Sequence, residues 1–435
     1  MSKKTTAFVS LLFLLLTQQK GFSQGQGNTP YSVFGIGETP HETSAAQDGM
    51  GGVSASFANG FYINPANPAL IVKNRVLGGY KYVAFNVGLG GNYRTIENSS
   101  SVQRDFGMNL NHISFAFPVK PKWAMAIQMK PYSQVSHKAT IPLTSIPGTI
   151  ESRGTLIESS GGLSRASYTN SFQIGKSLYL GLEAFHTFGV ILRDTTSLIT
   201  VSGVASPEAT RFTNRTSFGG SGVKFGAAFQ QKISEKWQVN IGGNYELNSQ
   251  VSGEYLRQLS NVTNTGNGFV LSSRADTLLL STAQATLPSR YTIGISIESP
   301  FKWIFAADYK VTNWNTYKNN ADPRPDILQA SNQLSIGMEY IPNATSTKYF
   351  DQAFYRLGYT QTTTPYVIAS QRIMDRSFSG GISLPLGFRS PSYIDFAVAV
   401  GRRGTTANNL IQENYVRVSA NFSLMSSWFI KNRID

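Results

Sequence analysis

Residues 415–424 read Tyr415-Val416-Arg417-Val418-Ser419-Ala420-Asn421-Phe422-Ser423-Leu424. Val416, Val418, Ala420, Phe422 and Leu424 fall on one side of an extended chain, and Tyr415, Arg417, Ser419, Asn421 and Ser423 on the other. Successive side chains point to opposite faces of a strand, so a period of two held over this length predicts a β-strand with one apolar face. Tyr291, Ile293, Ile295 and Ile297 alternate in the same way with Thr292, Gly294, Ser296 and Glu298. So do Val223, Phe225, Ala227 and Phe229 with Lys224, Gly226, Ala228 and Gln230.

Working outward from these, fourteen segments carry the pattern: 76–94, 108–118, 122–134, 161–175, 177–193, 217–231, 236–252, 286–299, 302–315, 332–341, 353–366, 376–385, 392–403 and 414–428. The connections alternate in length. Val119–Pro121, Lys176, Lys232–Glu235 and Pro300–Phe301 are tight, whereas 135–160, 194–216, 253–285 and 316–331 are long and polar. Short turns on one side, long loops on the other and an even strand count predict an all-β fold: a 14-stranded antiparallel transmembrane β-barrel with both chain ends in the periplasm. A soluble sandwich supplies no reason for the alternation. Trp123, Trp237, Trp303 and Trp428 fall at the periplasmic strand ends, where an aromatic girdle belongs. Trp314, eleven residues after Trp303, is expected near the opposite rim, although its parity is opposite.

Lys3 and Lys4 precede an apolar run from Ala7 to Leu16, and small residues Gly21 and Ser23 follow. That is the layout of a secretory signal peptide over residues 1–23, cleaved before Gln24. The run is shorter than the roughly 20 residues a spanning helix needs, and no longer apolar run follows, so membrane crossing is expected by strands. The chain has no cysteine, which excludes disulfides, thiolate metal sites and cysteine nucleophiles. His41, His112, His137 and His186 have no metal-ligand spacing. Without Lys3, Lys4 and Lys20, 35 basic residues face 24 acidic ones, a net charge of +11. The basic residues are dispersed rather than clustered, which suits anionic lipid and lipopolysaccharide headgroups rather than nucleic acid.

Residues 24–75 are rich in glycine, proline and alanine and lack sustained periodicity, so they form either a disordered tail or a plug inside the barrel 76–428. They contain Gly35-Ile36-Gly37, then Gly49-Met50-Gly51-Gly52-Val53-Ser54-Ala55-Ser56-Phe57-Ala58, then Asn64-Pro65-Ala66-Asn67-Pro68-Ala69-Leu70. This resembles the N-terminal hatch of the long-chain fatty acid transporter family (FadL/TodX). Asp308-Tyr309 with Thr312 and Trp314, and Arg356-Leu357-Gly358-Tyr359 with Thr364-Pro365, are also similar to that family. The resemblance implies a fourteen-stranded barrel with a hatch at Asn64, Pro65, Asn67, Pro68 and Ala69, and passive uptake of a hydrophobic small molecule. Two departures stand out. The Asn-Pro-Ala triplet is doubled, and the chain continues beyond its last strand as a basic tail, 429–435, open to a periplasmic partner.

For a ligand with a carboxylate, the lumen-facing cations by parity are Arg165, Lys224, Lys310, Arg356 and Arg417. The plainer reading pairs them with Glu183, Glu246, Asp308 and Glu339. The patches Phe269-Val270-Leu271 and Leu278-Leu279-Leu280 make either an apolar groove at the mouth or an extension of the strands. Pro131 interrupts the third strand, because proline cannot donate to the ladder. The resemblance makes it the candidate for a lateral opening into the membrane; otherwise the strand simply ends there. No Ser/His or Asp/His constellation is present, His186 beside Glu183 being unremarkable, and Gly49–Gly52 does not follow a strand. Neither an enzyme nor a cofactor is expected. The competing reading is a barrel that transports nothing and serves as an accessory subunit of an outer-membrane assembly or secretion complex, bound to other barrels or periplasmic proteins.

Overall fold

The computed structural model describes residues 28–40, 42–57, 63–73, 82–266, 268–321, 328–387 and 391–426. The expected signal peptide, His41, Trp428 and the tail 429–435 lie outside the described residues. Fourteen antiparallel strands close into one barrel. They are β1 (Val83–Glu97), β2 (Val102–Lys120), β3 (Trp123–Ser145), β4 (Glu151–Ile174), β5 (Leu178–Val201) and β6 (Glu208–Lys232). Next come β7 (Gln238–Glu246, continued by Ser249–Asn264) and β8 (Asp276–Leu287, continued by Arg290–Ser299). The remainder are β9 (Trp303–Thr312), β10 (Ser331–Tyr340), β11 (Phe354–Ile368), β12 (Gln371–Pro385), β13 (Tyr393–Gly404) and β14 (Gln412–Ser426). Closure is made by β1 on β14, in register from Val83 opposite Ser426 to Glu97 opposite Gln412. Each of the fourteen segments picked out by alternation is one of these strands.

Burial is inverted relative to a soluble sheet. In β14, Leu424 is 45% exposed while its neighbour Ser423 is fully buried. The apolar face points out, as it must where the surroundings are hydrocarbon, and the polar face lines the lumen. Trp123, Trp237 and Trp303 sit beside the tight turns; Trp303 packs 4.1 Å from Tyr340, and Trp123 stacks 5.9 Å from Phe172.

Two expectations are corrected. The stretches 135–160, 194–216 and 253–285 are mostly strand, not loop: β3 runs to Ser145, β4 starts at Glu151, and β5 and β6 are joined across six residues, 202–207. Phe269–Leu271 pairs with 262–264, and 276–287 belongs to β8, so the apolar patches are strand extensions. These stretches rise above the lipid, where neither face is held apolar, so alternation fades although the backbone ladder continues. Strands of 24 residues, such as β4, span roughly 55 Å of height at about 3.3 Å per residue and 45° tilt, against an apolar band of about 25 Å. β9 and β10, with 10 residues each and about 23 Å of height, only just match it. The barrel therefore has one tall wall, β3–β8, and one low wall. Trp314, second, is not on a girdle: β9 stops at Thr312, and a 3-10 turn tucks the indole into the lumen at 4% exposure.

Residues 28–40, 42–57 and 63–73 lie inside the barrel. Ala46, Met50, Val53 and Phe57 form a core with Ile304 and Ala306, and Ile63, Leu70, Ile71 and Val72 pack on Ala84, Ala116, Ala126 and Ala228. Small inward residues make the room. A Cβ on Gly226 would meet the Asn67 side chain at 2.3 Å, and one on Gly358 the Gly51 backbone nitrogen at 2.1 Å. Contacts that close admit no side chain.

Candidate functional site

The doubled Asn-Pro-Ala motif orders the segment through its two asparagines. Asn64 donates through Nδ2 to the carbonyls of Ser54 (2.7 Å) and Phe57 (3.0 Å), and its Oδ1 accepts from the backbone of Ala66 (2.9 Å) and Asn67 (3.1 Å). Asn67 donates to the Ala55 carbonyl at 2.6 Å and accepts from the Ala69 amide at 3.0 Å, starting the 3-10 turn Pro68–Lys73. Both asparagines fold the segment on itself, and both copies also touch the wall. Pro65 offers its carbonyl to Lys130 at 3.2 Å, and Ala69 accepts from Ser171 at 2.8 Å. From the wall, Asp308 accepts the Ser54 and Ala55 amides at 2.6 and 2.7 Å.

Charge fixes the segment at two heights. Lower down, Glu42 receives Arg290 (2.5 Å), Lys130 (2.8 Å) and Lys224 (3.5 Å), with Glu246 bridging Arg290 (3.2 Å) and Arg165 (2.9 Å). Glu183 lies 3.9 Å from Lys130. Burial would raise the Glu42 carboxyl, but Arg290, Lys130, Lys224 and, farther off, Lys310 outweigh it and hold the group well below the usual carboxylate range. Higher up, Glu38 joins Arg403 (2.6 Å) and Arg94 (3.4 Å), and Arg403 also meets Asp375 (3.1 Å) and Glu413 (3.5 Å). Asp48 accepts from Thr43 (2.5 Å) and Ser419 (2.7 Å); burial pushes its carboxyl up against the pull of Arg417.

The wall is incomplete between β2 and β3. They pair only as Ile113–Lys120 with Trp123–Met129. Above that point each strand carries one extra residue, Asn111 on β2 against β1 and Tyr132 on β3 against β4, and the edges part. Pro131 stands two residues beyond the last β3 residue paired with β2, and β3 itself continues through it, paired with β4. Seven paired residues climb about 16 Å, so the seam opens in the half of the apolar band farther from the tryptophan rim. The N-terminal segment closes its upper part. Glu38 and Gln134 exchange backbone hydrogen bonds of 2.9 and 2.8 Å, Thr29 donates to the Ser136 carbonyl at 2.9 Å, and Asn28 holds both backbone groups of Lys138 (3.0 and 3.1 Å). The Asn28 amide also reaches the Asp105 carboxylate on β2.

Inside the upper barrel an apolar cluster of Tyr132, Leu163, Ile191, Phe218, Val251, Leu287 and Trp314 is filled by the chain's own Ile36 and Leu328. Beside it lies a cavity of about 150 Å³, running from Lys310 and Gln333 across to Asn92 and Arg417 and reaching the seam at Asn109, Asn111 and Gln134. A smaller one of about 40 Å³ sits below, by Glu42 and Lys224.

All five cations expected in the lumen face it. Three are engaged: Arg165 with Glu246, Lys224 with Glu42, and Arg356 with Glu339 at 2.6 Å and with Ser383. Lys310 and Arg417 make neither an ion pair nor a side-chain hydrogen bond among the described residues, and both line the larger cavity. Sequence reasoning missed Glu38, Glu42, Lys130, Arg290 and Arg403. Lys130 shares the inward parity of Gln128, a signal that was present; Glu38 and Glu42 lie in an aperiodic segment that offers none. His186, close to Glu183 in sequence, points out of the barrel and hydrogen-bonds Ser221 at 3.0 Å.

Fourteen antiparallel strands with an apolar outside, a polar inside and a segment folded into the lumen define a plugged barrel of the outer-membrane type. The same fold is found in the Pseudomonas putida toluene transporter TodX (TM-score 0.58, 16% identity, covering 89% of this chain and 99% of that one). It recurs in the Ralstonia pickettii toluene transporter TbuX (0.56, 15%, 88% and 98%) and in a Pseudomonas aeruginosa FadL homologue (0.53, 12%, 89% and 98%). No curated protein matches the chain in sequence. The chain belongs to the BamG family, whose model matches residues 1–435.

Proposed function

We propose that this chain is an accessory barrel of an outer-membrane protein assembly or secretion complex, exported by its N-terminal signal and seated in the membrane with its own lumen closed. The observation that carries this reading is the filling of the lumen. The apolar cluster that could take an alkyl chain is occupied by Ile36 and Leu328, and the larger cavity is polar and about 150 Å³. Sites for drug-sized apolar molecules occupy about 300–1,000 Å³ and are lined chiefly by apolar groups. Membership of the BamG family is consistent with an assembly-related role. The outer face meets lipid and lipopolysaccharide, and other barrels or periplasmic proteins are the partners. Affinity isolation in mild detergent tests this: a stoichiometric complex with another outer-membrane protein is expected. A barrel recovered alone, together with loss of hydrocarbon uptake when the gene is deleted, would overturn it.

The second reading is passive uptake of a hydrophobic molecule, favoured by the β2–β3 seam beside Pro131 and by the toluene transporters that share the fold. On that reading the segment around Asn64, Pro65, Asn67, Pro68 and Ala69 is a hatch that must withdraw Ile36 from the apolar cluster before a ligand can enter. Lys310 and Arg417, rather than the ion-paired Arg356, are then the cations available to a ligand.

A further inference from the structure

We propose that the larger cavity is a binding site for a hydroxyl-rich ring bearing a phosphate, such as the phosphosugar headgroup of an outer-leaflet glycolipid. The ligand follows from what the cavity leaves unsatisfied. Lys310 and Arg417 reach it from different strands, β9 and β14, without an ion pair among the described residues. Its other charged groups are already committed: Arg94 and Arg403 to Glu38, Asp375 to Arg403, and Asp48 to Thr43 and Ser419. Counted over the lining, four cations (Arg94, Lys310, Arg403 and Arg417) face three carboxylates (Glu38, Asp48 and Asp375), with Arg417 drawn toward Asp48, so the cavity keeps a net positive charge. Around it, the side chains of Asn92, Thr312, Ser331 and Thr362 make no hydrogen bond among the described residues. An alkyl carboxylate would use the two cations and leave those amides and hydroxyls bare, whereas a sugar phosphate uses both sets. Arginine is suited to phosphate, which accepts two of its N–H groups at once.

Size and position agree. About 150 Å³ of cavity is the bulk of about five waters at roughly 30 Å³ each, on the scale of a single pyranose and short of a long acyl chain. The cavity reaches the wall at Asn109 and Asn111 of β2 and Gln134 of β3, where those strands have parted in the half of the apolar band farther from the tryptophan rim. A headgroup could lie inside with its acyl chains left in the bilayer. A free sugar phosphate could reach the same groups from the extracellular mouth.

Trp314 lines the cavity, whereas Trp123, Trp237 and Trp303 stand at the periplasmic rim, so Trp314 fluorescence reports on occupancy. The experiment titrates the full protein in nanodiscs with glucosamine 1-phosphate, and compares glucosamine, inorganic phosphate and dodecanoate. In parallel, discs are prepared with and without lipid A. Saturable quenching is expected with glucosamine 1-phosphate or with lipid A in the disc, much weaker with the other three, and absent in Trp314→Phe. Response to lipid A alone assigns the lipid source; response to the soluble probe alone assigns the mouth. Lys310→Met with Arg417→Met should weaken binding about tenfold or more, the worth of a charge-assisted hydrogen bond. Lys310→Arg should retain binding, which guards against a folding defect. No quenching by either phosphosugar, equal binding by the double variant, or preference for dodecanoate would overturn the proposal.

Discussion

Arg356 and Glu339 are both about 1% exposed at their side chains and 2.6 Å apart. Breaking a buried ion pair from one side strands the other charge, at a cost of about 3–5 kcal/mol. Arg356→Ala is therefore expected to lower the thermal unfolding temperature of the barrel, read by heat-modifiable gel mobility. Arg356→Met combined with Glu339→Met should recover most of the loss, and a double variant as unstable as the single one would show that the pair is not the cause. Asn67 poses a different case. It is fully buried and satisfies two backbone groups, so Asn67→Ala leaves the Ala55 carbonyl and the Ala69 amide without partners. At about 1–3 kcal/mol for an orphaned buried group, the plug should loosen while the barrel stays intact. Hydrogen exchange over residues 45–57 and 63–73 measures it; faster exchange there with unchanged strand protection is expected.

At the scale of the element, the segment 28–57 is held by charge as much as by packing, and that gives it a pH dependence. Glu42 is held ionised below the ordinary carboxylate range, near 4.3. A lowered carboxyl stabilises docking at neutral pH, and the contribution fades only as pH falls below that range through the lowered value. The Glu42 contribution is thus expected to be constant from pH 8 to about pH 5 and to fade in stronger acid. Glu42→Gln should show raised protease cleavage of the segment at neutral pH, with the difference from wild type shrinking in stronger acid; equal cleavage of the two at neutral pH would contradict the role given to Glu42. The strands were legible in the sequence because a wall between lipid and a polar lumen enforces a period of two, as in Val416–Leu424. The plug was legible only as a motif, since its Asn64 and Asn67 bonds run to backbone groups that leave no pattern. Pro131 was legible as a place where β3 cannot donate a backbone hydrogen bond, and it falls where pairing with β2 has stopped while pairing with β4 goes on. Asn111, the opposing bulge, has no such signature. Parity placed all five lumen cations, but which of them remain unpaired depends on Glu42, whose reach into the barrel no local rule predicts.

The whole molecule is lopsided: the hairpins β3–β4, β5–β6 and β7–β8 stand tall, while β9–β14 stay near the membrane. Alternation alone could not show this, because above the lipid both faces meet water and the apolar signal that marks a strand disappears. The direction of the barrel nevertheless follows from its turns. The residues around Glu235 form a tight turn beside Trp237, whereas Asn264 ends the upper part of β7, beyond the Gly253–Tyr255 stretch paired with β8 at Ser281–Ala283. From Gln238 to Asn264 the strand rises roughly 60 Å at about 3.3 Å per residue and 45° tilt, more than twice the apolar band. If the tryptophan rim is periplasmic, Asn264 stands well outside the cell. An epitope inserted after Asn264 should therefore bind antibody on intact cells, and one inserted after Glu235 should bind only after the outer membrane is permeabilised. Both insertions fall at exposed turns, where added residues are tolerated, so a missing signal can be checked against the amount of folded barrel. Labelling of Glu235 but not Asn264 on intact cells would invert the barrel, and with it would move the tall wall, the seam and the larger cavity to the periplasmic side.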